Sequence, residues 1–114
     1  MTNRSSPPFL PSAPVDLVAV TVGGCQVMLA WTECGAGGLG FRIERAAGND
    51  PCSPFAGIGG VGPHVTAFRD GSAKLRMTYS YRVHSWSASG DSSPSNVVEV
   101  TTPQTRTEPP AGEE

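Results

Sequence analysis

The chain is short of charge, and shortest of all in lysine. Asp, Glu, Lys and Arg make up 16 % of its 114 residues, against ~25 % in ordinary domains. Lys74 is the one lysine beside seven arginines, and the formal net charge is −2. The chain therefore lacks the basic stripe of an electrostatic nucleic-acid binder. No apolar run approaches the ~18–20 residues of a membrane span. The opening MTNRSSPPFLPSAP has no continuous apolar core, so no signal peptide is expected. Histidine is scarce, with His64 and His84 alone, and no Gly-x-Ser-x-Gly elbow occurs. The carboxylates Asp16, Glu33, Glu44, Asp50, Asp70, Asp91 and Glu99 are scattered. Nothing in this inventory sets a base beside a nucleophile, and the expectation is a protein that is not an enzyme. Gly35–Gly40 and Gly57–Gly62 both match G-x-G-x-x-G, but each runs into a strand, whereas phosphate binding needs the turn to open a helix. Three cysteines without a C-x-x-C offer no zinc set. No metal and no cofactor are expected.

What the chain has is glycine, proline and alternation. The prolines gather at the ends. Residues 1–13 read as an extended Pro-rich arm and 103–114 as an acidic Pro-containing tail, leaving a domain over 14–102. Inside it, apolar residues recur with period two. Strands are expected at Leu17–Val20, Gln26–Thr32, Phe41–Arg45, Phe55–Ile58, Val65–Phe68, Thr78–Trp86 and Asn96–Thr102, with Asp70-Gly71 as a turn. Seven short strands with turn signals every ~8–12 residues point to an all-β sandwich. Val27, Leu29 and Trp31 face one way on the second strand. Ile43 on the third, and Tyr79, Tyr81 and Val83 on the sixth, join them as candidate core. A one-residue slip would expose the whole set, so burial selects the register.

The opposite face of the sixth strand carries Arg82, His84 and Trp86. Neighbouring strands add Arg42, Glu44, Val97 and Glu99 to it. A tryptophan flanked by Arg and His suits a binding hot spot or a sugar-stacking platform. The competing reading is that a tail, or the loop around Ser89, covers the indole.

Pro14-Val15-Asp16-Leu17, Val27-Met28-Leu29-Ala30-Trp31 and Gly40-Phe41-Arg42-Ile43-Glu44-Arg45 resemble strands A, B and C of a fibronectin type III domain. Thr78-Tyr79-Ser80-Tyr81-Arg82-Val83, Gly90, Ser92, Pro94-Ser95-Asn96 and Thr101-Thr102-Pro103 resemble its F strand, FG loop and G strand. The wording is nearest to the bacterial or phage branch, and the resemblance covers about residues 12–103. It implies a seven-stranded immunoglobulin-like sandwich, A-B-E against C′-C-F-G. It makes Tyr79 a tyrosine corner whose hydroxyl bonds backbone a few residues upstream. The family's Leu six residues before this Tyr is here Ala73 and its Pro four before is Leu75, so Leu75 is the expected core plug. Ser89-Gly90-Asp91 stands where some members carry Arg-Gly-Asp; without the Arg, integrin-type adhesion is not implied. The topology puts Cys25 and Cys52 at one end of the sandwich and Cys34 at the other. A Cys25–Cys52 disulfide and three reduced thiols are the alternatives.

Family usage implies a non-catalytic interaction or structural module. It would be either a free-standing assembly component, such as a phage virion decoration or appendage protein whose arms grip neighbouring subunits, or an accessory spacer or carbohydrate-binding domain of a larger secreted bacterial enzyme or adhesin. The setting follows: an assembled particle for the first, extracellular for the second. Partners are proteins, with carbohydrate as the alternative, and neither nucleic acid nor membrane.

Overall fold

The computed structural model describes residues 10–23, 25–35, 38–48 and 52–103, and among these there is no helix. Eight strands follow one another: β1 (Val15–Val22), β2 (Gln26–Thr32), β3 (Gly40–Ala47), β4 (Ala56–Val61), β5 (Ala67–Asp70), β6 (Thr78–Ser87), β7 (Gly90–Asp91) and β8 (Val98–Thr101). β1-β2-β5 form one antiparallel sheet. β4-β3-β6 form the other, where β7 and β8 both pair with β6. This is the expected A-B-E layer against C′-C-F-G.

The extra strand is the two-residue β7, which returns along the end of β6 with Gly90 at φ 131, a conformation open to glycine. The last strand starts later than expected, at Val98 rather than Asn96. Pro94 has no N–H to give a ladder. Ser92 and Ser95 take over there: their amides each donate to a β6 carbonyl (Ser85 and Val83) at 2.8 Å. Their hydroxyls accept the Ser85 and Val83 amides at 3.0 Å. Side chains thus complete a ladder that the backbone leaves unfinished.

Alternation built the core. Val27, Leu29 and Trp31 of β2, Phe41 and Ile43 of β3, and Tyr79, Tyr81 and Val83 of β6 are buried together with Leu17. Trp31 meets Phe41 edge-on with centroids 5.4 Å apart. Ile43 sits opposite Val83 and Leu29 opposite Phe68. Gly59 on β4 faces inward, and an added Cβ there would fall 2.7 Å from the Phe68 ring. The missing side chain lets the two sheets close at that edge.

The Tyr79 hydroxyl accepts the Lys74 amide N–H at 2.8 Å, the bond of a tyrosine corner. The plug is Ala73, buried to 6 % exposure, whereas Leu75 is half-buried. The expectation that Leu75 would fill the core is corrected: with Lys74 tied to Tyr79, it is residue 73 that turns inward. At the other margin the Asn96 side chain donates to the Leu17 carbonyl (3.0 Å) and accepts the Leu17 amide (2.9 Å). It repairs β1 beside a register shift between Val15 and Val18, where Asp16 has φ 57.

Of the expected N-terminal arm, Ser12 is held to the sandwich: its carbonyl accepts the Ser85 hydroxyl at 2.6 Å. Residues 1–9 and 104–114 lie outside the described residues. Val27 opposes Asp70, and Asp70 binds Arg45. The β1–β2 turn and the β3–β4 loop therefore share one end, as read for Cys25 and Cys52. No disulfide joins the two in the structure, where Cys25 is half-buried and Cys52 exposed.

Candidate functional site

Three cross-strand pairs build the outer face of the larger sheet: Gly40 opposite Trp86, Arg42 opposite His84, and Glu44 opposite Arg82. Pairs directly opposite share a face, so their side chains meet. The Arg42 guanidinium lies 4.9 Å from the Trp86 ring centroid. Its Nε donates to Asp91 Oδ1 at 3.2 Å. Asp91 pairs with Trp86 through β7, so the short hairpin carries the carboxylate to the arginine. Beneath the indole is Gly40. A Cβ there would collide with the Val61 carbonyl and come within 2.8 Å of the indole Nε1. Trp86 consequently lies down against the sheet and is half-buried. Among the described residues Arg42 lies over the ring and the absence of a side chain at Gly40 leaves room beneath it; most of both tails lies outside the described residues.

Further along, Glu44 Oε1 accepts Arg82 Nε at 2.6 Å and lies 2.9 Å from His84 Nε2. Burial raises the Glu44 carboxyl, but the bonds from Arg82 and His84 outweigh it and hold the group below its usual range. His84 Nδ1 is 2.8 Å from the Ser92 carbonyl, so the ring ties β3 to the segment entering β8. The Arg82 guanidinium stacks 4.1 Å from the Phe55 centroid. Trp86, His84, Arg82 and Arg42 thus lie on one face in two contacting groups, Arg42 with Trp86 and Arg82 with His84 through Glu44, adjacent by the register of Arg42 opposite His84. Glu99 shares the face but sits on β8 opposite Ser80, exposed and joined to none of them. Asp91 and Phe55 belong to the surface and escaped sequence reading. Phe55 precedes its strand, where no period reveals its face, and Asp91 read as a loop residue.

A second cluster seals the opposite end. Asp70, 3 % exposed, accepts the Tyr81 hydroxyl (2.6 Å) and Arg45 Nη1 (2.8 Å) on one oxygen. The other oxygen accepts the amide (2.9 Å) and hydroxyl (2.7 Å) of Ser72. Burial pushes the Asp70 carboxyl up, and the bonds from Tyr81, Ser72 and Arg45 more than reverse it. Burial and the carboxylate together push the Tyr81 phenol well up. Both Asp70 oxygens and the Tyr81 hydroxyl are taken up by these bonds, which makes the cluster a structural one. Asp70 ends β5, and its bond to the Ser72 amide two residues on is that of an Asx turn, in keeping with the Asp70-Gly71 turn signal; what the local sequence does not show is that Arg45 and Tyr81 reach the same carboxylate from other strands.

The cleft at the Trp86 end, lined by Pro11, Ser12, Glu33, Cys34 and Ser85 among others, has a volume of about 10 Å³, on the order of one water. His64 reaches Glu33 at 3.1 Å but is otherwise in solvent. Among the described residues no group of three or more His, Cys, Asp or Glu could hold a metal ion.

No protein-family model matches the chain, and no curated protein does. Solved structures do. The fibronectin type III domain of human fibronectin type III domain containing protein 3 is 23 % identical, covering 90 % of this chain and 94 % of that one, with a TM-score of 0.70. The third fibronectin III domain of the human KIAA0343 protein is 13 % identical, covering 94 % of each chain, with a TM-score of 0.76. The FN1–FN3 domains of chicken CNTN1 are 16 % identical over 82 % of this chain, with a TM-score of 0.70; the match spans 32 % of that longer chain. Two antiparallel sheets in this strand order, closed by the Tyr79 corner and superimposing on such domains along nearly their whole length, give the chain the fibronectin type III fold.

Proposed function

We propose that the domain is a non-catalytic interaction module that meets a protein partner with the Trp86 end of its larger sheet. The observation that carries this reading is the Trp86–Arg42–Asp91 ledge. Tryptophan and arginine dominate interface hot spots, and they do so best when preorganised. Here Gly40 and Asp91 fix both, while Arg42 stays 54 % exposed. Leu39, 49 % exposed, bonds the Trp86 carbonyl, and Leu10, 55 % exposed, lies beside Gly90. Apolar surface therefore borders the ledge, as at an interface core with a polar rim.

The finer setting we read is an assembly component, such as a virion decoration or appendage protein, supported by the proline-rich sequence at both ends. The alternative is a carbohydrate-binding accessory domain of a secreted protein. Trp86→Ala separates them. Titration with soluble cello- and chito-oligosaccharides, read by tryptophan fluorescence, is expected to leave the wild type unchanged; quenching lost in Trp86→Ala would favour carbohydrate. Cross-linking within the native assembly is expected to capture a neighbouring protein with the wild type but not with folded Trp86→Ala. Equal capture by both would end the proposal.

A further inference from the structure

The imidazole of His84 has an acceptor at each of its nitrogens. Nδ1 lies 2.8 Å from the Ser92 carbonyl and Nε2 lies 2.9 Å from Glu44 Oε1. A carbonyl oxygen has no proton to give. Neither has Glu44: burial raises its carboxyl, but the bonds from Arg82 and His84 hold it below its usual range, so it is ionised near neutral pH. Both ring nitrogens must therefore donate, and a ring that donates twice is an imidazolium. A neutral ring has one N–H and one lone pair. It serves one of these acceptors and turns its lone pair on the other. The ring is 13 % exposed, so water has little room to come between. The charged groups around it are few. Glu44 faces it from β3, as does Arg42 directly opposite, and Arg82 on its own strand shares Glu44 Oε1. Asp91 stands before Ser92 and holds Arg42, and Glu99 of β8 is on the same face but opposite Ser80. Of these, Glu44 is the one that bonds the ring.

When the ring is neutral, the Ser92 contact is the one that opens. A hydrogen bond to a carboxylate is roughly twice as strong as one to a neutral acceptor, and a lone pair is repelled more by an anion than by a carbonyl. The neutral ring therefore keeps its proton on Nε2, for Glu44. What it releases is the connector from β7 to β8. Ser92 and Ser95 anchor this connector to β6 through amides and hydroxyls, groups that do not titrate near neutral pH. Between them Ser93 and Pro94 are exposed, and Pro94 has no N–H to add. Within this stretch the His84 bond is the one that a proton controls. We propose that His84 is a proton-operated catch: charged, it clasps the Ser92 carbonyl to Glu44, and on losing one proton it frees that carbonyl and loosens residues 92–95. Asp91, which binds the Arg42 that lies over the indole, is the residue before Ser92, so the ledge is firmest when the ring is charged. The catch itself does not depend on what the ledge binds.

Nuclear magnetic resonance of the full chain tests it from about pH 5 to about pH 9, a span that brackets the ~6.5 of a free histidine. Both ring nitrogens of His84 should carry protons at the acid end, and Nε2 alone at the alkaline end. The Ser93 amide belongs to the Ser92 peptide group, so its signal should shift along the same curve as the ring. The Lys74 amide, bonded to Tyr79 at the far end of the sandwich, should not follow that curve. His84→Gln keeps a donor but cannot titrate, and should abolish the Ser93 shift; His64→Gln should leave it in place. If His84→Gln does not fold, the wild-type curves decide alone. A neutral ring with its proton on Nδ1, a Ser93 signal that does not follow the His84 curve, or one that still titrates in folded His84→Gln overturns the proposal.

Discussion

Two Arg–carboxylate–aromatic clusters take their arginine from β3 and their aromatics from β6, and they behave as opposites. At one end Asp70, Tyr81 and Tyr79 are packed away from water, with Asp70 3 % exposed and the part-buried Arg45 4.7 Å over the Tyr79 ring. At the other, Arg42, Asp91 and Trp86 use the same chemistry with the charged side chains 54 % and 46 % exposed. The difference teaches how little an ion pair's partners say about its weight. A sealed carboxylate has no water to fall back on, so losing it strands its partners. An open pair is screened and stabilises the fold little. Its value is to hold surface groups in place.

The sharpest break in this comparison is Asp70→Ala. It leaves the buried Tyr81 hydroxyl and the part-buried Arg45 without their acceptor. We expect a loss of about 3–5 kcal/mol in urea unfolding, enough to unfold a domain of this size. Acid acts at the same point. The Asp70 and Glu44 carboxyls both titrate below their ordinary values when folded. Their contribution is therefore full above the unfolded-state value and disappears as pH falls through the lower folded value. Stability should fall as pH drops below about 4, a carboxylate's ordinary range, and Asp70→Asn should flatten much of that slope. Tyr79→Phe removes one hydrogen bond, to the Lys74 amide, and is expected to cost about 0.5–1.5 kcal/mol by thermal melting. Asp91→Ala, at the open cluster, should cost less than about 1 kcal/mol, yet release Arg42 and shift the emission of the Trp86 indole. If Asp91→Ala were as damaging as Asp70→Ala, the contrast between sealed and open pairs would be wrong.

Much of this was legible before the fold. Alternation in Gln26–Thr32 and Thr78–Trp86 named the buried faces, because a strand's side chains have only two directions in which to point. Trp86, Arg82, His84 and Arg42 were readable as neighbours for the same reason. The sealed cluster was not readable. Asp70 followed by Gly71 carries the local signature of a turn, and nothing local announces that Arg45 and Tyr81 wait across the sandwich. Leu75 looked like the better plug because hydrophobicity is local, whereas the constraint that turns Ala73 inward is a bond to Tyr79.

The sequence by itself determined the inward faces of β2, β3 and β6, how many ribbons there are to within one short hairpin, and that the two sheets stack. Those outcomes follow from period-two patterning and turn residues, both properties of near neighbours along the chain. The tertiary structure alone decided which charges are sealed and which stay open, and that Gly40 lets an indole lie flat. These depend on pairings between residues 25 to 49 positions apart. No local pattern encodes them, because it is the register of the closed sheets that sets them.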